Sequence, residues 1–245
     1  MRRRDFRGKI LAGVGQGFSW YAVCDLRLNK VRMKLLAESY QYFLENQARF
    51  WQALGQHLTL SLAALAICVL IGVPLGIWIS RRANAAQAVI NVFGALRLVP
   101  SLAILFLALP YLGTGFRPAL FALVILAFPP IIINTYAGIR NVDRAVVEAA
   151  RGMGMEPNQV LRQVELPIAL PAVIAGIRTA AVEVIASATL AAFIGGGGLG
   201  DFITRGFAVY EPRIMLVGAI PVALLALFSE GLLGGVQRIF SVPAA

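Results

Sequence analysis

Histidine occurs once in these 245 residues, at His57, and cysteine twice, at Cys24 and Cys68. One histidine excludes a His-rich metal site and most Ser-His or Cys-His triads. Two cysteines, one of them inside an apolar block, leave no basis for a disulfide framework. Charge is scarce as well: 14% of residues are charged, against about a quarter in a soluble domain. No G-x-x-x-x-G-K-[ST] occurs, so the chain lacks the phosphate loop it would need to hydrolyse ATP itself. Outside the apolar blocks, no polar segment is long enough to form a soluble binding domain.

What is present is hydrophobic sequence, 59% of the chain, with a mean hydropathy of +0.77. It comes in blocks long enough to cross a bilayer, which takes about 20 residues per helix. Five spans are expected, over about 58–80, 85–112, 118–139, 167–194 and 214–239. The second is interrupted by Arg97 and by Pro100-Ser101, and the third contains Pro129-Pro130. The expected fold is therefore an all-α membrane protein. Repeated proline and glycine within spans suits a transporter, where neighbouring helices or a cavity satisfy freed backbone groups.

The formal charge of +10 would suggest nucleic acid in a soluble protein, but here it marks loops. Arg81, Arg82, Arg140, Arg144, Arg151, Arg162 and Arg238 fall on one side, which is assigned to the cytoplasm. Residues 1–33 form a basic extension, whose first 32 residues hold eight basic and two acidic residues. Five spans place that extension outside, in conflict with its charge. A start at Met33 resolves the conflict. Residues 34–57 have apolar positions at helical spacing, which fits either an interfacial amphipathic helix or a helix packed on protein. Residues 58–240 form the membrane domain, and 241–245 a tail.

The polar segment 140–166 is the most informative. Asp143 is a candidate N-cap for a short helix through Glu148, Ala149 and Ala150. Gly152 and Gly154 offer a stop, Glu156-Pro157 a new cap and first turn, and Pro167 an end. Two short helices around a glycine turn make a knob fit to enter a partner's groove. Glu148-Ala149-Ala150, three residues, Gly154, nine residues, then Val164-Glu165-Leu166-Pro167 resembles the EAA loop of ABC importer permeases. The only departure is valine in the isoleucine place.

The resemblance covers roughly 58–240. Stretches such as "LVPSLAILFLALPYLGTG", "FPPIIINTYAGIRNVD" and "ATLAAFIGGGGLGDFI" are similar to the osmoprotectant branch, which carries glycine betaine, choline and carnitine. It implies the type I importer permease fold in a bacterial inner membrane, with no cofactor on this chain and ATP hydrolysed by a separate ABC ATPase subunit. It also implies a separate extracytoplasmic solute-binding protein and a second permease, identical or paralogous. Glu148, Ala149, Ala150, Gly154, Leu166 and Pro167 would belong to the ATPase-coupling loop. The alternative is a methionine or other amino-acid importer, which shares the EAA loop and "GGLGD".

For the translocation path the candidates are Pro100, Ser101, Asn134 and Glu183. The prolines with Asn134 either break helices along the path or only kink them. Glu183 either touches a trimethylammonium group or faces a polar helix interface, with Arg178 snorkelling to the cytoplasm. Gly195, Gly197 and Gly200 match G-x-G-x-x-G, but after a membrane-length helix rather than a strand, so the reading is a flexible turn leading into a polar loop. An intramembrane enzyme would need clustered reactive residues at depth, and only Glu183 is available. A channel has no use for an EAA loop.

Overall fold

The computed structural model describes residues 33–240, and all of their regular structure is helical. Residues 1–32 and 241–245, with the basic extension, the question of a start at Met33 and the tail, lie outside them. Helix α1 covers 33–45 and ends at Asn46, whose side-chain amide donates to the Tyr42 carbonyl at 2.9 Å. Helix α2 then runs unbroken over Gln47–Ser80. The break expected near residue 57 is thus at Asn46, where a polar side chain competes for backbone groups. At 1.5 Å per residue α2 is about 50 Å long, longer than the roughly 30 Å hydrocarbon layer.

Helices α3 (Ala83–Leu96) and α4 (Ser101–Leu112) meet at 95°. Pro100 causes the break: its ring lacks an N–H and bars the preceding residue from helical geometry, and its own ψ of 134° is extended. By contrast, Pro129-Pro130 do not break α5 (Phe116–Arg140). The Asn134 amide donates to the Pro130 carbonyl at 2.8 Å and the Cys68 thiol to the Val124 carbonyl at 3.2 Å. These bonds lie beside the prolines, but the carbonyls that Pro129 and Pro130 leave without a donor are those of Ile125 and Leu126, four residues back.

Helix α6 is Arg144–Gly152 and α7 is Pro157–Val160. Pro167 was expected to end the second short helix, and it does not. The chain passes through one π turn, Leu161–Glu165, into α8 (Leu166–Ser187). In that turn the Leu166 N–H donates to the Leu161 carbonyl five residues back. The widened turn makes room for the ring that a regular helix would drive into the preceding carbonyl. After α8 come a 3₁₀ stretch (Ala188–Ile194), the glycine turn, α9 (Gly200–Ala208) and α10 (Pro212–Phe240). The polar loop expected after the glycines is therefore a helix, held by buried Phe202 against Phe50, Ile214 and Val217.

Among the described residues four helices are long and apolar enough to span a membrane, and five if the bent α3–α4 pair counts as one. Helix α5 sits at the centre, between α2 and α8, with α10 on the far side of α8. The core is rich in small side chains, Ala64, Ala119, Ala122, Ala127, Ala180 and Ala188 among them. Helices in lipid associate largely by such close approach, because lipid tails are as apolar as the side chains.

Gly176 lets α8 approach the backbone of α5 closely. A Cβ there would lie 2.8 Å from both the Pro130 carbonyl oxygen and the Asn134 Cβ. Gly176→Ala should therefore lower the thermal midpoint of the detergent-purified protein by the equivalent of about 1–3 kcal/mol. Gly231→Ala, with open space around it, is the control. Equal midpoints for the two variants would refute the packing argument.

Candidate functional site

Each end of the α6–α7 unit is set by its sequence. Asp143 caps α6, its carboxylate accepting from the Ala145 N–H at 2.9 Å. Glu156 and Gln159 form a reciprocal capping box on α7, with the Glu156 N–H donating to Gln159 Oε1 at 2.8 Å. Between them Gly154 takes φ +87°, the left-handed region that favours glycine, and its N–H donates to the Arg151 carbonyl. Both short helices therefore form where their caps predict.

The unit presents a small outer face. Glu148, Ala149, Met153 and Gly154 are exposed, and nothing lies within 4 Å of where a Gly154 Cβ would stand. Ala150 is buried and anchors the other side of α6. Leu166 and Pro167 are not part of this knob. They stand beyond the π turn, in the first turn of α8, so the motif runs from an exposed knob into the base of a span.

Beside the knob, and reached by Glu148 from it, lies a cavity of about 290 Å³ lined by Arg81, Arg140, Arg144, Arg151, Glu148 and Glu165. Glu165 is buried and forms an ion pair with Arg81, which follows the last turn of α2. This pair joins the base of the knob to the end of the first span. Sequence reasoning missed it: Arg81 served only as a topology marker, and Glu165 only as the free position in Val-Glu-Leu-Pro. The two residues are 84 apart, and no local signal connects them.

The path candidates do not form one cluster. Pro100 and Ser101 sit at the α3–α4 bend. The Asn134 amide is committed to its own helix and its Cβ packs at the Gly176 crossing. Glu183 is half-buried on α8, within the apolar stretch Pro157–Ile194. Arg178, which snorkels in one of the two readings of Glu183, has its Nε 3.2 Å from Glu230 and its Nη1 donating to Gln237, both on α10. At the opposite end from the knob, Gln56 Oε1 accepts from the Gly198 N–H at 3.2 Å, and His57 Nε2 is 3.1 Å from the Ile185 carbonyl. These adjacent α2 residues bracket the 3₁₀ stretch and the glycine turn.

A bundle of broken and continuous spans, with a capped helical knob tied by a buried ion pair to the end of one span, defines a polytopic transport permease. The chain belongs to the family described as binding-protein-dependent transport system inner membrane component, whose model matches residues 69–240. It is a multi-pass inner-membrane protein of that family. It is 46% identical over 196 residues to the carnitine transport permease protein OpuCB of Listeria monocytogenes, covering 80% of this chain and 90% of the relative. It is 41% identical over 198 residues to the choline transport system permease protein OpuBB of Bacillus subtilis (strain 168), covering 81% and 91%. Among solved structures, the MetNI methionine ABC transporter in an inward-facing conformation has the same fold, with a TM-score of 0.73 over 80% of this chain and 98% of that one. At 20% identity that likeness concerns the fold alone.

Proposed function

We propose that this permease imports quaternary-ammonium osmoprotectants, the class of carnitine, choline and glycine betaine, as one subunit of an ATP-driven complex. The observation that carries the solute class is the 41–46% identity, over about nine-tenths of their length, to permeases named for carnitine and choline. An acid at membrane depth, Glu183, agrees with a cationic headgroup. ATP is bound and hydrolysed by a partner subunit, and a separate binding protein delivers the solute. A second permease, identical or paralogous, completes the path.

In this reading the knob bearing Glu148, Ala149 and Gly154 docks on the ATPase, with Ala150 fastening it from behind. Leu166 and Pro167 pass its movement into α8, and the Arg81–Glu165 pair carries it to α2. The path runs past the Pro100-Ser101 bend and Glu183, while Asn134 acts through the α5–α8 crossing.

The test is uptake of labelled glycine betaine, carnitine, choline and methionine at high salt. Cells would express the chain with its neighbouring ATPase and binding protein. Uptake of one or more of the first three, dependent on ATP, is the expected result. Methionine uptake alone would move the chain to the amino-acid alternative with its mechanism intact, and ATP-independent flux would overturn the importer reading.

A further inference from the structure

Arg144, Val147, Glu148 and Arg151 recur at the three- and four-residue spacing that puts them on one face of α6. All four line the cavity beside the knob, together with Arg81 from the end of α2 and Arg140 from the end of α5. The fold therefore brings four guanidinium groups from three elements around one space of about 290 Å³. Glu148 and Glu165 are the only acids in its lining, which leaves two positive charges in excess.

One of the four cations is spent, since Arg81 is committed to the buried Glu165. Among the described residues Arg140, Arg144 and Arg151 make no ion pair or hydrogen bond. This is not the state of every arginine in the membrane domain. Arg82 lies over the Trp78 ring at 4.7 Å, and Arg178 pairs with Glu230. Like charges gathered around one space repel, and an anion between them turns that repulsion into attraction.

A guanidinium matches a phosphate group in charge and in bidentate geometry. The space is several times the roughly 30 Å³ share of one water, enough for such a group. The ends of two spans line it, which sets it at headgroup depth, where basic pockets between spans take phosphate headgroups. We infer that this cavity is a binding site for a phosphate group, held by Arg140, Arg144 and Arg151 beside the Arg81–Glu165 pair. An anionic lipid headgroup and free phosphate offer the same chemistry. Bound there, the anion joins the ends of α2 and α5 to α6, and so fastens the knob to two spans. The site is independent of the solute class, and it is distinct from the Ala149 and Gly154 surface proposed to meet the ATPase.

The experiment titrates the full-length permease in detergent with inorganic phosphate and, separately, with short-chain phosphatidylglycerol. Ionic strength is held constant with chloride, and the rise in thermal midpoint gives an apparent Kd for each probe. The wild-type midpoint should rise saturably. Arg144→Gln and Arg151→Gln should each weaken binding about tenfold or more, the effect of one lost charge-assisted hydrogen bond. Arg162→Gln removes an exposed arginine at the same end that does not line the cavity, and it should bind as wild type does. Midpoints in chloride alone show that each variant is folded, and if Arg144→Gln is not, Arg151→Gln carries the test. Saturation by phosphatidylglycerol alone assigns the lipid as the source, by phosphate alone the free anion, and by both the phosphate group itself. No saturable rise with either probe overturns the site, as does equal weakening in all three variants, which marks bulk charge. Unchanged binding in a folded cavity variant overturns it too. If those variants lose co-purification of the ATPase while still binding phosphate, the cavity belongs instead to an acidic side chain of that partner.

Discussion

Gly154→Asp should abolish solute-driven uptake by the assembled importer while leaving the permease itself folded. Two separate effects meet at this position. The first is internal: φ is +87°, and an L side chain there costs about 1–2 kcal/mol. Aspartate is among the residues that tolerate the left-handed region best, so this cost stays at the low end. No heavy atom within 4 Å opposes the new Cβ, so the knob suffers no clash. The second effect is external. The side chain projects from the exposed face of the knob, where the proposed ATPase contact would bury it. A carboxylate desolvated there without a partner costs about 3–5 kcal/mol by analogy with a broken buried pair. At 1.4 kcal/mol per factor of ten, binding of the ATPase weakens by a factor of about 100 or more.

The companion variants separate the two effects. Gly154→Ala adds backbone strain and only a methyl group, whereas Gly154→Asn relieves strain but is as bulky as aspartate without its charge. If burial at the contact decides, alanine outperforms asparagine in uptake by its smaller size, and asparagine outperforms aspartate because it carries no charge to desolvate. If backbone conformation decides, asparagine and aspartate both outperform alanine. The readouts are co-purification of the ATPase, uptake, and the permease's thermal midpoint. Uptake within twofold of wild type in Gly154→Asp would remove the knob from the coupling contact.

The knob was legible in the sequence because its determinants are local. Asp143, Gly154 and the Glu156-Pro157 pair each act within three or four residues, and capping chemistry alone places both helix starts. The spans were legible for a similar reason: all but the second, which Arg97 and Pro100-Ser101 interrupt, are contiguous apolar blocks. Pro167 misled because a lone proline is a helix stop only if the preceding turns keep regular spacing, and the π turn Leu161–Glu165 does not. The break at Asn46 was hidden by periodicity that continues across it. Helix α9 was missed because nine residues with arginine and aspartate resemble a loop until Phe202 finds its pocket against α2 and α10. Every other miss is a contact between distant segments. Arg178 with Glu230, Gln56 with Gly198 and Arg81 with Glu165 depend on how helices are arranged, which no window of sequence contains.

The last of those contacts sets the second large effect, on the stability of the permease and on coupling together. Arg81→Ala leaves the Glu165 carboxylate, with 7% of its side chain exposed, facing a cavity without its counter-charge. Breaking a fully buried pair costs about 3–5 kcal/mol. The Arg81 side chain is 37% exposed, so water already screens part of the attraction and the expected cost falls to about 2–3 kcal/mol. Glu165→Gln should cost less, about 1 kcal/mol, because the orphaned Arg81 can turn towards solvent while the amide still accepts a hydrogen bond. The double variant Arg81→Met, Glu165→Gln should be more stable than Arg81→Ala, since no buried charge remains uncompensated. Thermal midpoints of the purified permease give this order directly. Coupling should follow a different order. Both single variants and the double variant sever the charged link between α2 and the base of α8, so each should lower uptake per ATP hydrolysed, including the one whose stability recovers. If the double variant regains wild-type coupling with its stability, the pair is only structural, and the movement of the knob reaches α2 by packing through α5.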